Sequence, residues 1–397
     1  MRSLIAKYAG KMERDRSVVP GRVGIAAQDD VMVSEGAPYL SRLAADVLAR
    51  LSCLGVVAAA PSLPFAESLL RRADAEAEAI VPLDTETRTF LHDVPIVRRE
   101  KLAGDPVGAI AALLSNRKGV IAEGVGIVAS GPVTLEQAYI HYSSVFHACY
   151  VKYLLDVLQE GFLLPGEAEA FRAFRETFLR PLTAEGLPFR AGPLDDPDEV
   201  LSEIRAVGGH TVLRGLVDSF FGNISYRVGD TIYISQTAAS LDELAGCVDP
   251  VPTDNRSTTG ITASSELLAH RRIYEATGAR AILHGHPKFA VAMSMLCDVE
   301  DCPVKDCWKD CTRVRMLGDT PIVAGEIGAG GLAARVPPVI GGPGTAIVYG
   351  HGVFAIGRDG FEEAFRSMVD VENRCREEYF RRLDARKGAA SPQSKSE

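Results

Sequence analysis

The residues with the most chemical content in this chain are three histidines. His284 and His286 close the apolar run Ala281-Ile282-Leu283, and His351 lies within Ile347-Val348-Tyr349-Gly350-His351-Gly352-Val353-Phe354. In a strand, residues at i and i+2 share a face, so His284 and His286 project together and a neighbouring strand can bring His351 beside them. Three neutral imidazoles with an open fourth position describe a catalytic zinc-type site. Buried imidazoles need partners, and a metal ion would supply one to all three. Just upstream, Ser264-Ser265-Glu266-Leu267-Leu268-Ala269-His270 has helical spacing that puts Glu266 and His270 on one face at i and i+4. Glu266 is the candidate base, whereas His270 fits either a partner of the site or a helix-surface residue.

A second cluster is sulfur-based. Cys297, Cys302, Cys307 and Cys311 fall within one short, charged stretch. Their thiolates could hold a structural zinc or an iron-sulfur cluster. Free cysteines are also common small hydrophobes, but charged neighbours are unlike a core. His92, His141, His147 and His210 lack convergent partners, and His141 and His147 sit in a Tyr- and Phe-containing helical stretch that reads as packing.

These groups must be carried by elements. The segment Asp198–Arg205 reads as an amphipathic helix, β-rich runs follow between Asn223 and Ser235, and residues 361–380 repeat apolar positions at helical spacing. The alternation predicts a layered α/β domain. At 397 residues the chain suits two domains of ordinary size, and 47% hydrophobic content is enough for two cores. A net charge of -9 argues against a nucleic-acid-binding surface. No apolar stretch approaches the roughly 20 residues that span a bilayer, and the first residues lack a long apolar leader region. The expectation is a cytoplasmic protein without membrane or nucleic-acid partners. Eight cysteines without a disulfide-like framework fit a reducing compartment.

Sliding the chain along itself by 226 residues aligns two tracts without net insertion. His92-Asp93-Val94-Pro95-Ile96-Val97 falls on Gly318-Asp319-Thr320-Pro321-Ile322-Val323, and the stretch 124–131 falls on 350–357. The first half reads as a second copy of the same fold. At the site positions His284 and His286 fall on Ala58 and Ala60, His351 on Val125 and Glu266 on Leu40. Every candidate site residue becomes apolar, which makes this half structural or regulatory. By this reading the copy starts too late to contain a counterpart of Gly222-Asn223. The expected divisions are a degenerate domain lacking metal ligands at 1–162, a helical connector at 163–195, a catalytic domain at 196–383 and a disordered tail at 384–397.

The run Gly222-Asn223-Ile224-Ser225-Tyr226-Arg227, then Ile232-Tyr233-Ile234-Ser235-Gln236-Thr237-Ala238, Ser264-Ser265-Glu266, His284-Gly285-His286-Pro287 and Tyr349-Gly350-His351-Gly352, resembles the class II aldolase/adducin family in order and spacing. The resemblance covers residues 195 to 382. It implies a three-layer α/β/α fold with a central, largely antiparallel sheet, and hence two tandem aldolase-II-like domains. It also implies a divalent metal, most often zinc, on His284, His286 and His351, with Glu266 moving a proton. Asn223, Thr237, Ser264 and Ser265 match the family's phosphate-binding places, where turn amides and hydroxyls make an anion nest.

The implied function is a metal-dependent lyase that cleaves or forms a carbon-carbon bond of a phosphorylated ketose through a metal-stabilised enediolate. Epimerase or dehydratase chemistry on a sugar phosphate is the first alternative, and a non-catalytic, adducin-like scaffold the second. The resemblance further implies a homo-oligomer with active sites at subunit or repeat interfaces. Three departures bear on the reaction. Phe220 stands where a hydroxyl residue is usual, Ser235-Gln236-Thr237-Ala238 replaces the familiar hydroxyl turn, and no tyrosine occurs from Pro287 to Val348 to serve as acid.

Overall fold

The computed structural model describes residues 1–390 apart from Ser219, Asn255 and Glu326–Gly328. The chain divides into two compact units, Met1–Leu179 and Arg180–Glu397. The division falls inside the stretch 163–195, and the helix Glu167–Thr177 in that stretch belongs to the first unit.

The first unit is built on β1 (Val18–Gln28), β2 (Met32–Gly36), β3 (Gly55–Pro61), β4 (Ala79–Ile80), β5 (Val94–Val97), β6 (Gly119–Ala122) and β7 (Gly126–Gly131). Among the described residues these form one sheet in the order β2-β1-β3-β7-β6-β5-β4. The single parallel pair is β5 with β6, and every other neighbour is antiparallel. Strand β3 reads as an unbroken apolar run because it is covered on both faces. Val56 and Ala58 pack in one core with Leu40, Leu43 and Val47 of the helix Pro38–Leu48. The long helix Leu135–Glu160, buried along most of its length, packs against β3 and β7.

The second unit carries β8 (Asn223–Val228), β9 (Thr231–Ser235), β10 (Val248–Pro252), β11 (Ala281–Gly285), β12 (Arg315–Leu317), β13 (Thr320–Val323), β14 (Thr345–Val348) and β15 (Gly352–Gly357). Their order is β10-β9-β8-β11-β15-β14-β13-β12, again with one parallel pair, β13 with β14. Ile282, Phe354, Ala346 and Val348 join Ala269 and Ile273 of the helix Leu267–Thr277 in one core, while the helix Phe361–Ala390 packs on β11 and β15. Each unit is therefore an α/β fold around a largely antiparallel sheet.

Moved 226 residues along the chain, β5, β6 and β7 fall on β13, β14 and β15 from first residue to last. Pairing registers move with them: Ile96 faces Ile121 as Ile322 faces Ile347, and Val57 faces Ala129 as Leu283 faces Ala355. One expectation is corrected at the front of the sheet. β1 pairs with β3 as β8 pairs with β11, and Gly24 faces Ala58 where Asn223 faces His284. The first unit thus does contain a counterpart of Asn223. A constant shift misses it because the chain between β9 and β11 is longer than that between β2 and β3, so the offset changes.

The expected tail is corrected too. The last helix, Phe361–Ala390, runs past 384, while residues 391–397 lie outside the described residues. No helix among the described residues is long and apolar enough to cross a membrane.

Candidate metal centre

The site grows from the alternation of β11. Ile282, His284 and His286 fall at every second position; Ile282 enters the core, and the two histidines continue the same row as the strand ends. The turn Tyr349-Gly350 between β14 and β15 delivers His351 to the same place. Ligand nitrogens of the three rings all lie within 4.8 Å of one another. His284 Nε2 stands 3.0 Å from His286 Nε2 and 3.1 Å from His351 Nε2. All three side chains are buried.

Three buried nitrogens at such separations fit a metal better than one another. Two nitrogens bound tetrahedrally at about 2.0–2.1 Å from one zinc lie roughly 3.3 Å apart, close to these values. The His284 ring has its tautomer set, because Nδ1 donates to the Val353 carbonyl at 3.0 Å and leaves Nε2 as a lone pair. Its pKa is pushed down to about 4, chiefly by burial, so the ring is neutral at physiological pH as a ligand must be. Phe354 stacks on His284 at 4.1 Å and Phe221 on His286 at 5.5 Å, so aromatic rings hold both imidazoles.

Two glycines make the packing possible. A Cβ on Gly352 would sit 2.3 Å from the Gly285 carbonyl and about 3 Å from both the His284 and His286 rings. Gly222 turns the chain into β8 at φ +85, where a Cβ would meet the His284 carbonyl at 2.6 Å.

Glu266 faces this triangle from the residue capping the helix Leu267–Thr277. One carboxylate oxygen is 3.3 Å from His351 Nε2 and the other 3.6 Å from His284 Nε2. Burial opposes ionisation of the carboxyl, but the histidine ring nitrogens and a hydrogen bond from Asn223 hold it below the usual carboxylate range. With His284 uncharged near neutrality, the donor amide of Asn223 is the lasting part of that support, and a cation among the three nitrogens would add to it.

The candidate anion residues divide. Asn223 Oδ1 meets His270 at 2.5 Å and its Nδ2 donates to Glu266 at 2.8 Å, so the side chain is committed to the site's interior. Ser264 Oγ accepts from the Glu266 amide at 3.3 Å. Thr237 is one strand away and gives its hydroxyl to the Ala263 carbonyl at 2.9 Å. Ser265 is exposed.

The cysteine cluster stands apart from this centre. Among the described residues Cys297, Cys302, Cys307 and Cys311 do not join the one group of candidate ligands, which is the histidine triangle. Cys307 and Cys311 flank the single helical turn Cys307–Asp310, their thiols directed 3.8 Å to the Val304 and Arg313 carbonyls, while Cys297 and Cys302 are exposed. Burial raises the Cys307 thiol, and the three other cysteines raise it further.

The sequence reading missed the second ring of the site: Ser225, Tyr274 and a firm place for His270. The signal was available. Asn223 and Ser225 are polar at i and i+2 of one strand, and Glu266, His270 and Tyr274 recur every fourth residue on one helix face.

With this geometry described, likeness to known proteins can be weighed. Residues 202–379 match the family described as Class II Aldolase and Adducin N-terminal domain. A stretch of 102 residues is 29% identical to the "Probable bifunctional methylthioribose-1-phosphate isomerase/methylthioribulose-1-phosphate dehydratase" of Nocardia farcinica, covering 23% of this chain and 18% of that protein's length. Among solved structures, an L-fuculose-1-phosphate aldolase from Thermus thermophilus is 25% identical, with 49% of this chain and 98% of that one covered at a TM-score of 0.38. A sugar-phosphate aldolase from Thermotoga maritima is 19% identical over 47% of this chain and 96% of that one, at a TM-score of 0.36.

Proposed function

We propose that the chain, whose residues 202–379 match the class II aldolase and adducin family, is a divalent-metal lyase acting on a polar, phosphorylated ketose. The observation that carries the proposal is the triangle of buried imidazole nitrogens faced by a carboxylate. His284, His286 and His351 would hold the ion, with zinc fitting the all-nitrogen set. Such an ion, when bound, supplies Lewis-acid polarisation of adjacent substrate oxygens.

The protein's own work is proton movement and orientation. Glu266, kept as a carboxylate by the Asn223 amide, has the charge state of a base and reaches toward the open side of the triangle. A carbon-bound or hydroxyl proton of the substrate would pass to one of its oxygens. Phe221 and Phe354 keep the rings fixed and exclude water behind them. Ser264 and Ser265 at the helix entrance, with Thr237 nearby, remain the candidates for the anionic end of the substrate. Homo-oligomeric assembly belongs to the proposal, and light scattering would test it.

A dehydratase acting on a similar ketose phosphate is the second reading, favoured by the name of the Nocardia farcinica relative. The test is a panel of matched phosphorylated and free ketoses, scored for aldehyde release, epimer formation and loss of water. Glu266→Gln should retain the metal and lose turnover by about 10²–10⁴-fold, the usual contribution of a positioned base. Full turnover with bound metal in that variant would remove Glu266 from the chemistry, and no reaction with any ketose would remove the substrate class.

A further inference from the structure

Behind Glu266 lies a line of polar side chains that metal binding alone does not require. Asn223 Nδ2 donates to Glu266 Oε2 at 2.8 Å, Asn223 Oδ1 meets His270 Nε2 at 2.5 Å, and His270 Nδ1 meets Ser225 Oγ at 2.6 Å. Ser225 Oγ in turn stands 2.7 Å from the Tyr274 hydroxyl. Every member is buried, with His270 and Ser225 wholly withdrawn from solvent. A buried polar chain of this kind is stabilising only when each donor meets an acceptor.

That condition fixes the direction of every bond. The Glu266 carboxylate can only accept, so the Asn223 end facing it must be the amide nitrogen, and Oδ1 then faces His270. Nε2 of His270 must therefore carry the proton. Burial drives the ring's pKa down to about 3, with Glu266 opposing and His284 assisting, so it is neutral and Nδ1 must accept. Ser225 donates to Nδ1, which leaves the serine oxygen to accept from Tyr274 at 2.7 Å, nearer than the Arg280 carbonyl that the same hydroxyl faces at 3.3 Å. The hydrogen bonds thus run one way, from Tyr274 to the carboxylate.

We propose that His270 is a positioning residue for the proton-transfer step, its Nε2–H holding the Asn223 amide turned so that nitrogen, not oxygen, faces Glu266. Flipped about, the amide would set its oxygen against a carboxylate oxygen and weaken the base's charged form. Among the described residues the Asn223 side chain hydrogen-bonds only Glu266 and His270, so His270 alone opposes the flip. The His270 ring hydrogen-bonds to Asn223 and Ser225 among the described residues, so it acts on Glu266 through Asn223. The inference rests on the proposed role of Glu266 as base, but its principal readout does not depend on turnover.

The experiment is nitrogen NMR on the full chain loaded with zinc and labelled at histidine and asparagine side chains. The expected result is a neutral His270 with the Nε2–H tautomer, and an Asn223 amide proton shifted downfield by the carboxylate. That shift should vanish in Glu266→Ala and in His270→Leu, and return at least in part in His270→Gln, which can still donate. Zinc stoichiometry should stay at the wild-type value in both His270 variants, while turnover of any ketose phosphate found falls by about 10–100-fold in His270→Leu. An Nδ1–H tautomer in the wild-type protein overturns the proposal whether or not the variants fold. An unchanged Asn223 amide signal in a folded His270→Leu overturns it as well.

Discussion

Gly352 shows how little space the metal triangle leaves at the scale of one residue. It opens β15, opposite the end of β14, and its missing side chain is where the His284 and His286 rings and the Gly285 carbonyl converge. Gly352→Ala would place a carbon 2.3 Å from that carbonyl, too close for any relaxation of side chains alone. Backbone must move, and the backbone on both sides carries ligands. The expected outcome is a loss of about 1–3 kcal/mol in stability from overpacking, with metal affinity lost in greater proportion because the nitrogens lose their register. Calorimetric melting with and without zinc checks this, and wild-type zinc affinity in the variant would show that the triangle tolerates the shift. The three histidines and Glu266 were legible in the sequence because strand alternation and helical spacing act over a few residues. The Val353 carbonyl that sets the His284 tautomer was not, since it comes from a strand 69 residues away whose register the sequence does not print.

Elements explain which readings transferred and which did not. Strands β5 to β7 and β13 to β15 share one spacing, so a fixed shift of the sequence found them; the β1–β2 hairpin escaped because the following connection differs in length between units. The cysteine stretch gives no such regular frame, since its four thiols sit on exposed or half-buried chain around one helical turn. The helix Leu135–Glu160 carries a prediction of its own. His141 on it is buried, with Nδ1 on the Ser130 carbonyl, and burial lowers its pKa from 6.5 to about 4 against the help of that bond, with Lys118 lowering it further. The unfolded chain therefore binds a proton between about 6.5 and about 4 that the folded unit refuses. His141 imposes no such penalty above that window, and stability falls as pH drops through it, by about 2–3 kcal/mol. His141→Gln removes the titration, so unfolding curves of wild type and variant should converge or cross as the medium is acidified. Parallel pH profiles would mean that His141 protonates as readily in the folded protein as in the unfolded chain.

At the scale of the whole molecule the two units share a sheet plan but treat one location in opposite ways. In the second unit the ends of β8 and β11 hold Asn223, His284 and His286 around polar space. In the first, Gly24, Ala58 and Ala60 stand at the matching strand positions, and Leu40 and Ala58 join Val125 in a single apolar core. Approach is closer there as well: a Cβ on Gly24 would lie 2.2 Å from the Leu40 backbone, so the helix Pro38–Leu48 rests directly on β1 where Asn223 and Glu266 need room to meet. The location is packed shut and lined by apolar residues, and a neutral or charged metal ligand placed there would lose hydration with nothing to replace it. The expected stoichiometry is therefore one divalent ion per 397-residue chain, despite two copies of the sheet. Elemental analysis of protein purified without added metal, repeated on a His284→Ala and His286→Ala double variant, decides the matter. One ion lost completely in the variant fits the geometry. A second ion retained there would require the cysteine stretch to close around it, and two ions both sensitive to the histidine changes would contradict the closed state of the first unit.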